Sequence, residues 1–221
     1  MTTPASRDEL ASMIDHAVLS PNATIDDLRE GCELVRRLGV GCMCVRPCDF
    51  AAARAQLAGA RVAVATVVGF PHGDAVTAIK AAEARQAVAD GADELDMVLN
   101  IGALRSGRLD YVRDDIAAVV AAADGKIVKV ILECCYLDRD RKVAACEAAV
   151  QAGADFVKTS TGTGPAGATV EDVALLRAHV PEGVGVKAAG GIRTLGDCLA
   201  MIEAGATRVG ASATESILAD F

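Results

Sequence analysis

Two lysines stand in short apolar runs where lysine is rare: Lys158 in "DFVKTSTGTG" and Lys187 in "GVGVKAAGG", twenty-nine residues apart. A lysine buried among apolar side chains must be paired or give up its proton, because burial disfavours the charged form. A lysine that is neutral at working pH attacks carbonyl carbon and forms an imine. A second lysine close by lowers the first one's affinity for a proton further. The pair therefore points to carbon–carbon bond chemistry through an imine and an enamine. The residues alone leave open which of the two is the nucleophile.

The elements that must hold these lysines follow from a weak internal repeat. "ADGADELDMVL", "QAGADFVKTS" and "EAGATRVGAS" each end a helical pattern, turn on glycine and enter a short apolar run. The same junction recurs at Gly39, Gly59, Gly125 and Gly183, and a further run, "MIDHAVL", comes first. The runs are "MIDHAVL", "GCMCV", "RVAVATVVGF", "ELDMVL", "IVKVILE", "FVKTST", "GVKAAG" and "RVGASA". Helical patterns lie between them, with Thr24 and Thr169 as candidate N-caps. Eight strand–helix units in 221 residues predict a compact (β/α)₈ TIM barrel forming one domain over residues 1–221. A doubly wound open sheet is the alternative, but no G-x-G-x-x-G follows the first run.

Alternation along each strand then sorts the side chains. One face of a barrel strand meets the helices and the other meets the axis. With Leu95, Met97 and Leu99 outward, Asp96, Val98 and Asn100 point in. By the same parity Lys129, Ile131 and Glu133, then Phe156, Lys158 and Ser160, then Gly185 and Lys187 point in. Asp96, Lys129, Glu133, Lys158 and Lys187 are thus expected to converge, three lysines against two carboxylates. Asp96 is the candidate proton-moving partner. Three successive loops, "TGTGPAGAT", "GGIRT" and "GASAT", supply glycine, hydroxyl groups, helix starts and Arg193. Such loops after the late strands of this fold bind phosphate.

Bulk properties narrow the partners. The chain is 52% hydrophobic with 24% charged and 3% aromatic residues, so aliphatic packing carries its core. A net charge of −8 argues against nucleic acid or an anionic membrane as partner. The start "MTTPASRDEL" lacks the regions of a signal peptide, and a cytoplasmic location is expected. Eight cysteines without a C-x-x-C read as free thiols, and no metal site is expected. His72 in "GFPHGD" and the "DRDRK" run read as loop and surface residues.

"ELDMVLNIGAL", "FVKTSTG", "GVKAAGGIRT" and "RVGAS", in that order, resemble deoxyribose-phosphate aldolases, and the likeness runs from "DHAVLSPNAT" to "GASAT". The resemblance implies a class I aldolase on a (β/α)₈ barrel, without metal or other cofactor. Such an enzyme cleaves 2-deoxy-D-ribose 5-phosphate reversibly to D-glyceraldehyde 3-phosphate and acetaldehyde. By position it implies Lys158 as the imine-forming residue, Lys187 as its assistant and Asp96 as the acid–base group. It further implies Gly162, Gly190, Gly191, Gly210 and Ser212 at the phosphate, and Asp15, Cys44, Lys129 and Thr161 near the substrate. A homodimer is compatible with such a barrel. The chain departs from the family's usual pattern at Ala17, Ser20, Cys134, Gly164, Pro165 and Ala213, which bears on affinity and turnover more than on reaction type. Two competing functions remain at this point: another lysine-imine aldolase or transaldolase, and a weakly active phosphate-sugar binding homologue.

Overall fold

A computed structural model describes residues 4–221. The strands β1 (Ile14–Val18), β2 (Cys42–Val45), β3 (Ala63–Val68), β4 (Glu94–Val98), β5 (Ile127–Ile131), β6 (Phe156–Lys158), β7 (Gly185–Ala189) and β8 (Arg208–Ala211) lie within the eight expected runs. All pair in parallel in chain order, and β8 returns to β1, so the (β/α)₈ barrel is closed. Before β1 comes α1 (Arg7–Ser12). Between and after the strands come α2 (Ile25–Leu38), α3 (Phe50–Gln56), α4 (Thr77–Ala89), α5 (Ile101–Arg105), α6 (Leu109–Ala122), α7 (Arg139–Gln151), α8 (Val170–Ala178), α9 (Leu195–Glu203) and α10 (Thr214–Ala219).

Local chemistry sets the helix starts. Thr24 caps α2 and Thr169 caps α8, as expected, by accepting the N–H of Asp27 and of Asp172. Asn100 differs from expectation. It leaves the inward face of β4 and caps α5 by accepting the Ala103 N–H. The unit after β4 consequently carries two helices, α5 and α6.

The core is double. Leu95, Met97, Leu99, Val128, Val130, Leu132, Val157 and Val186 are buried between the sheet and the helix ring. A second, small cluster of Cys42, Cys44, Ala65 and Val67 lies inside the barrel. The interior is built from small side chains because long ones must fit among them. A Cβ on Gly210 would stand 3.2 Å from Cε of Lys187, and a Cβ on Gly185 would stand 2.1 Å from the Phe156 ring.

Two buried polar groups belong to the packing and not to the barrel interior. Lys80 of α4 donates to Asp115 of α6 at 2.6 Å and to the Val98 carbonyl at 3.0 Å, tying both helices to the end of β4. Nothing in the helical pattern of "TAIKAAEARQAVA" announces this pair. His16 faces outward from β1, and its Nδ1 lies 2.9 Å from the Thr214 hydroxyl. Burial pushes its imidazolium down to about 4. The unfolded chain takes up that proton near 6.5, so stability falls as pH drops below this value. Urea denaturation should show a loss of about 2 kcal/mol from this residue between pH 7 and pH 5. A His16→Asn variant should lose that part of the slope; an unchanged slope would show that His16 is not its source.

Candidate active site

The barrel interior holds a buried charge cluster. Asp96 on β4 accepts from three lysines: Lys129 of β5 at 2.8 Å through Oδ1, and Lys158 of β6 and Lys187 of β7 at 2.7 Å each through Oδ2. Lys158 and Lys187 are partners in register across β6 and β7, so their amines rise side by side. Lys187 also donates to Asp15 of β1 at 2.5 Å. Lys129 contacts Glu94 of β4 and lies 3.6 Å from Asp15. Arg208 of β8 closes the lower end, donating through Nε to Asp15 at 2.8 Å and through Nη2 to Glu94 at 3.2 Å.

This arrangement brings together Asp96, Lys129, Lys158 and Lys187 as parity predicted, and corrects the fifth member. Glu133 is buried, but the chain leaves β5 after Ile131 and turns through a left-handed backbone at Glu133, φ 55°. Alternation ends where the strand ends, so its carboxylate points elsewhere. It accepts the Thr161 N–H at 3.2 Å and the Thr161 hydroxyl. Gly164 packs on the same carboxylate, since a Cβ there would stand 3.3 Å from Glu133 Cδ. The segment "TGTG" is thus shaped around Glu133. Ser160 is fully buried against Gly190, and among the described residues its hydroxyl has no partner.

The carboxylates that do complete the cluster are Asp15 and Glu94, and Arg208 adds a fourth cation. Glu94 shares the parity of Asp96, and Arg208 that of Gly210, so alternation extended to the strand ends would have found both. Asp15 was implied only by resemblance.

The electrostatics separate the lysines. Burial lowers Lys158 below its ordinary value, and the neighbouring Lys187 adds to this against the pull of Asp96. Burial acts on Lys187 as well, but Asp15 and Asp96 outweigh it and hold that amine above the ordinary range. Lys129 is held well above it in the same way, chiefly by Asp96 and Asp15 against burial. Burial also opposes the charge on Asp96, yet its three lysines keep the carboxyl well below the usual range. Desolvation is therefore the first cause that weakens the hold of Lys158 on its proton, and the charge of Lys187 adds to it.

A cavity of about 690 Å³ opens above the cluster at the C-terminal ends of the strands. It is lined by Lys158, Lys187, Asp15, Cys44, Thr161, Gly162, Gly190, Gly191, Arg193, Gly210 and Ser212. Asp96 and Lys129 do not line it. Asp96 reaches it through the two amines, and Lys129 lies fully buried beneath. The loops after β6 and β7 meet backbone to backbone: Ala168 donates to the Gly190 carbonyl at 3.0 Å, and a Cβ on Gly167 would stand 2.1 Å from that oxygen. Glycine is required there. Burial pushes the Cys44 thiol up to about 11, so it lines the wall as a neutral group. Of the positions that depart from the family pattern, Ala17 and Ser20 line this cavity, while Cys134 is buried in the outer core.

Asp15, Cys42 and Glu94 bring three potential metal donors together. Lys129 and Arg208 already occupy both carboxylates, and burial holds the Cys42 thiol well above its ordinary value. A thiol must ionise to ligate, so this trio is a poor fit for a cation. Among the described residues no helix is long and apolar enough to cross a membrane.

Comparison with known proteins agrees with this geometry. The profile of the DeoC/LacD family aldolase matches residues 10–218. The deoxyribose-phosphate aldolase of Caldanaerobacter subterraneus subsp. tengcongensis is 52% identical over 215 residues, covering 96% of this chain and 93% of that protein. That of Carboxydothermus hydrogenoformans is 50% identical over 217 residues, covering 96% and 95%. The tetrameric deoxyribose phosphate aldolase of Aeropyrum pernix superposes with a TM-score of 0.93 at 34% identity, covering 99% of this chain and 93% of that one. A buried lysine pair under an open cavity, on a barrel matched from end to end by these relatives, makes this chain a member of the DeoC/LacD aldolase family.

Proposed function

We propose that the chain cleaves 2-deoxy-D-ribose 5-phosphate reversibly to D-glyceraldehyde 3-phosphate and acetaldehyde, with Lys158 as the imine-forming nucleophile. One observation carries the assignment. Of the four cations in the cluster, only Lys158 is lowered toward its neutral form, while Lys129, Lys187 and Arg208 are held charged. Lys158 also lines the cavity.

In the cleavage direction the Lys158 amine adds to the sugar aldehyde, water leaves, and an iminium forms. The C3 hydroxyl then gives up its proton as the C2–C3 bond breaks. The bonding electrons pass to the iminium and leave an enamine, and the phosphorylated triose departs. Protonation of the enamine carbon and hydrolysis release acetaldehyde and restore Lys158. Asp96 and Lys187 are 2.7 Å apart and both reach the Lys158 site, so they are suited to move these protons. The phosphate serves as a remote handle that orients the reacting carbons. Gly162, Gly190, Gly191, Arg193, Gly210 and Ser212 would hold it, with Asp15, Cys44 and Thr161 along the sugar. Lys129 would act from beneath, by holding Asp96.

The test is reductive trapping. Acetaldehyde with borohydride should leave one ethyl group, mapped by mass spectrometry to Lys158. Ethylation of Lys187 in its place would overturn the assignment. Efficient trapping of dihydroxyacetone with none of acetaldehyde would point to a ketone-donor aldolase instead.

A further inference from the structure

The cluster is unbalanced by one charge. Its cations are Lys129, Lys158, Lys187 and Arg208, and its carboxylates are Asp15, Glu94 and Asp96. Without Arg208 the three lysines would face three carboxylates, and nothing in the count would favour a neutral amine. Arg208 lies one layer below the catalytic pair, beside Lys187 in register, and it does not line the cavity. It takes up Asp15 Oδ1 and shares the Glu94 carboxylate with Lys129. A guanidinium does not deprotonate, so the imbalance weighs on the proton affinity of the lysines. Among them Lys158 has the fewest carboxylate contacts: one, against two for Lys187 and three for Lys129.

We propose that Arg208 is a positioning residue that keeps Lys158 nucleophilic, by engaging Asp15 and Glu94 and so leaving the three lysines one negative charge short. This rests on the imine function assigned to Lys158 above. The groups facing Lys158 are Asp96 from β4, Lys187 from β7 and Cys44 from β2. Glu94, Lys129, Cys42 and Arg208 lie away from the cavity, and Asp15 bridges Lys187 and Arg208 at its floor. Both thiols are held neutral by burial, and β3 offers only Ala63, Ala65 and Val67 to the interior, so among the described residues no other group in reach offsets the arginine.

The experiment follows the rate of acetaldehyde trapping by cyanoborohydride as a function of pH. It uses the full-length wild type, Arg208→Met, Arg208→Lys and Glu94→Gln. Removing the arginine charge should move the acid limb up by about one pH unit, a roughly tenfold loss on the acid side that recovers at higher pH. Arg208→Lys puts a cation that can titrate in the same place and should move the limb in the same direction but less than Arg208→Met. Glu94→Gln removes a carboxylate and should move the limb the other way. A purely structural role would lower trapping at every pH and give no opposite shifts, and that result would overturn the proposal. So would limbs that coincide. If Arg208→Met does not fold, Glu94→Gln decides by the sign of its shift. A wild type that traps no acetaldehyde would instead sink the imine function itself.

Discussion

Lys158→Met should lose roughly 10⁵-fold in turnover of 2-deoxy-D-ribose 5-phosphate, the scale seen when a covalent nucleophile is removed. The substitution keeps most of the side-chain volume and removes the amine. It should cost little stability, because the cluster then holds Lys129, Lys187 and Arg208 against Asp15, Glu94 and Asp96 and is balanced. Unfolding free energy within about 1 kcal/mol of wild type is expected, since the remaining charges keep their partners. Lys158→Arg should be as inactive and less stable, because a guanidinium cannot shed the excess proton. Steady-state kinetics and urea denaturation of the two variants check both halves. Retained turnover in Lys158→Met would remove the nucleophile assignment, and a large stability loss would contradict the charge count.

Asp96→Asn should cost both stability and activity. Its carboxylate is the one anion that all three lysines share, at 2.7 to 2.8 Å, and none of the four side chains is more than marginally exposed. Removing one partner from a buried charge network costs about 3–5 kcal/mol. The penalty has a sign in pH. With the carboxylate gone, lysines that stay buried bind protons less readily than in the unfolded chain. The unfolded state then holds more protons up to about 10.4, and stability should rise with pH in that range. The variant should therefore recover part of its loss between pH 7 and pH 10, more steeply than wild type. Turnover should stay low throughout, because the proton carrier between the amines is missing. A stability loss independent of pH would mean that packing, not uncompensated charge, is what Asp96 supplies.

The fold was legible because its signals are local. Helix caps, glycine stops and two-residue alternation each act over a few neighbouring residues, and they placed all eight strands and the inward phase of Asp96, Lys129, Lys158 and Lys187. Parity misled at Asn100 and Glu133, and for one reason: both lie beyond the last paired residue of their strands, where the backbone turns and alternation stops. The chemistry class followed from the lysines themselves. Choosing Lys158 over Lys187 did not, because the two sit in equivalent apolar runs. That choice depends on which carboxylates each amine meets, and those come from β1 and β4, far away in sequence. Strand closure and register decide such contacts. They bring Asp15 to Lys187, and Arg208 to Asp15 and Glu94, and they leave Lys158 with Asp96 alone. The sequence by itself determined a barrel with lysines inside it. The tertiary structure decided which lysine meets the fewest carboxylates, because buried charge is balanced across the whole ring of strands and not along any one of them.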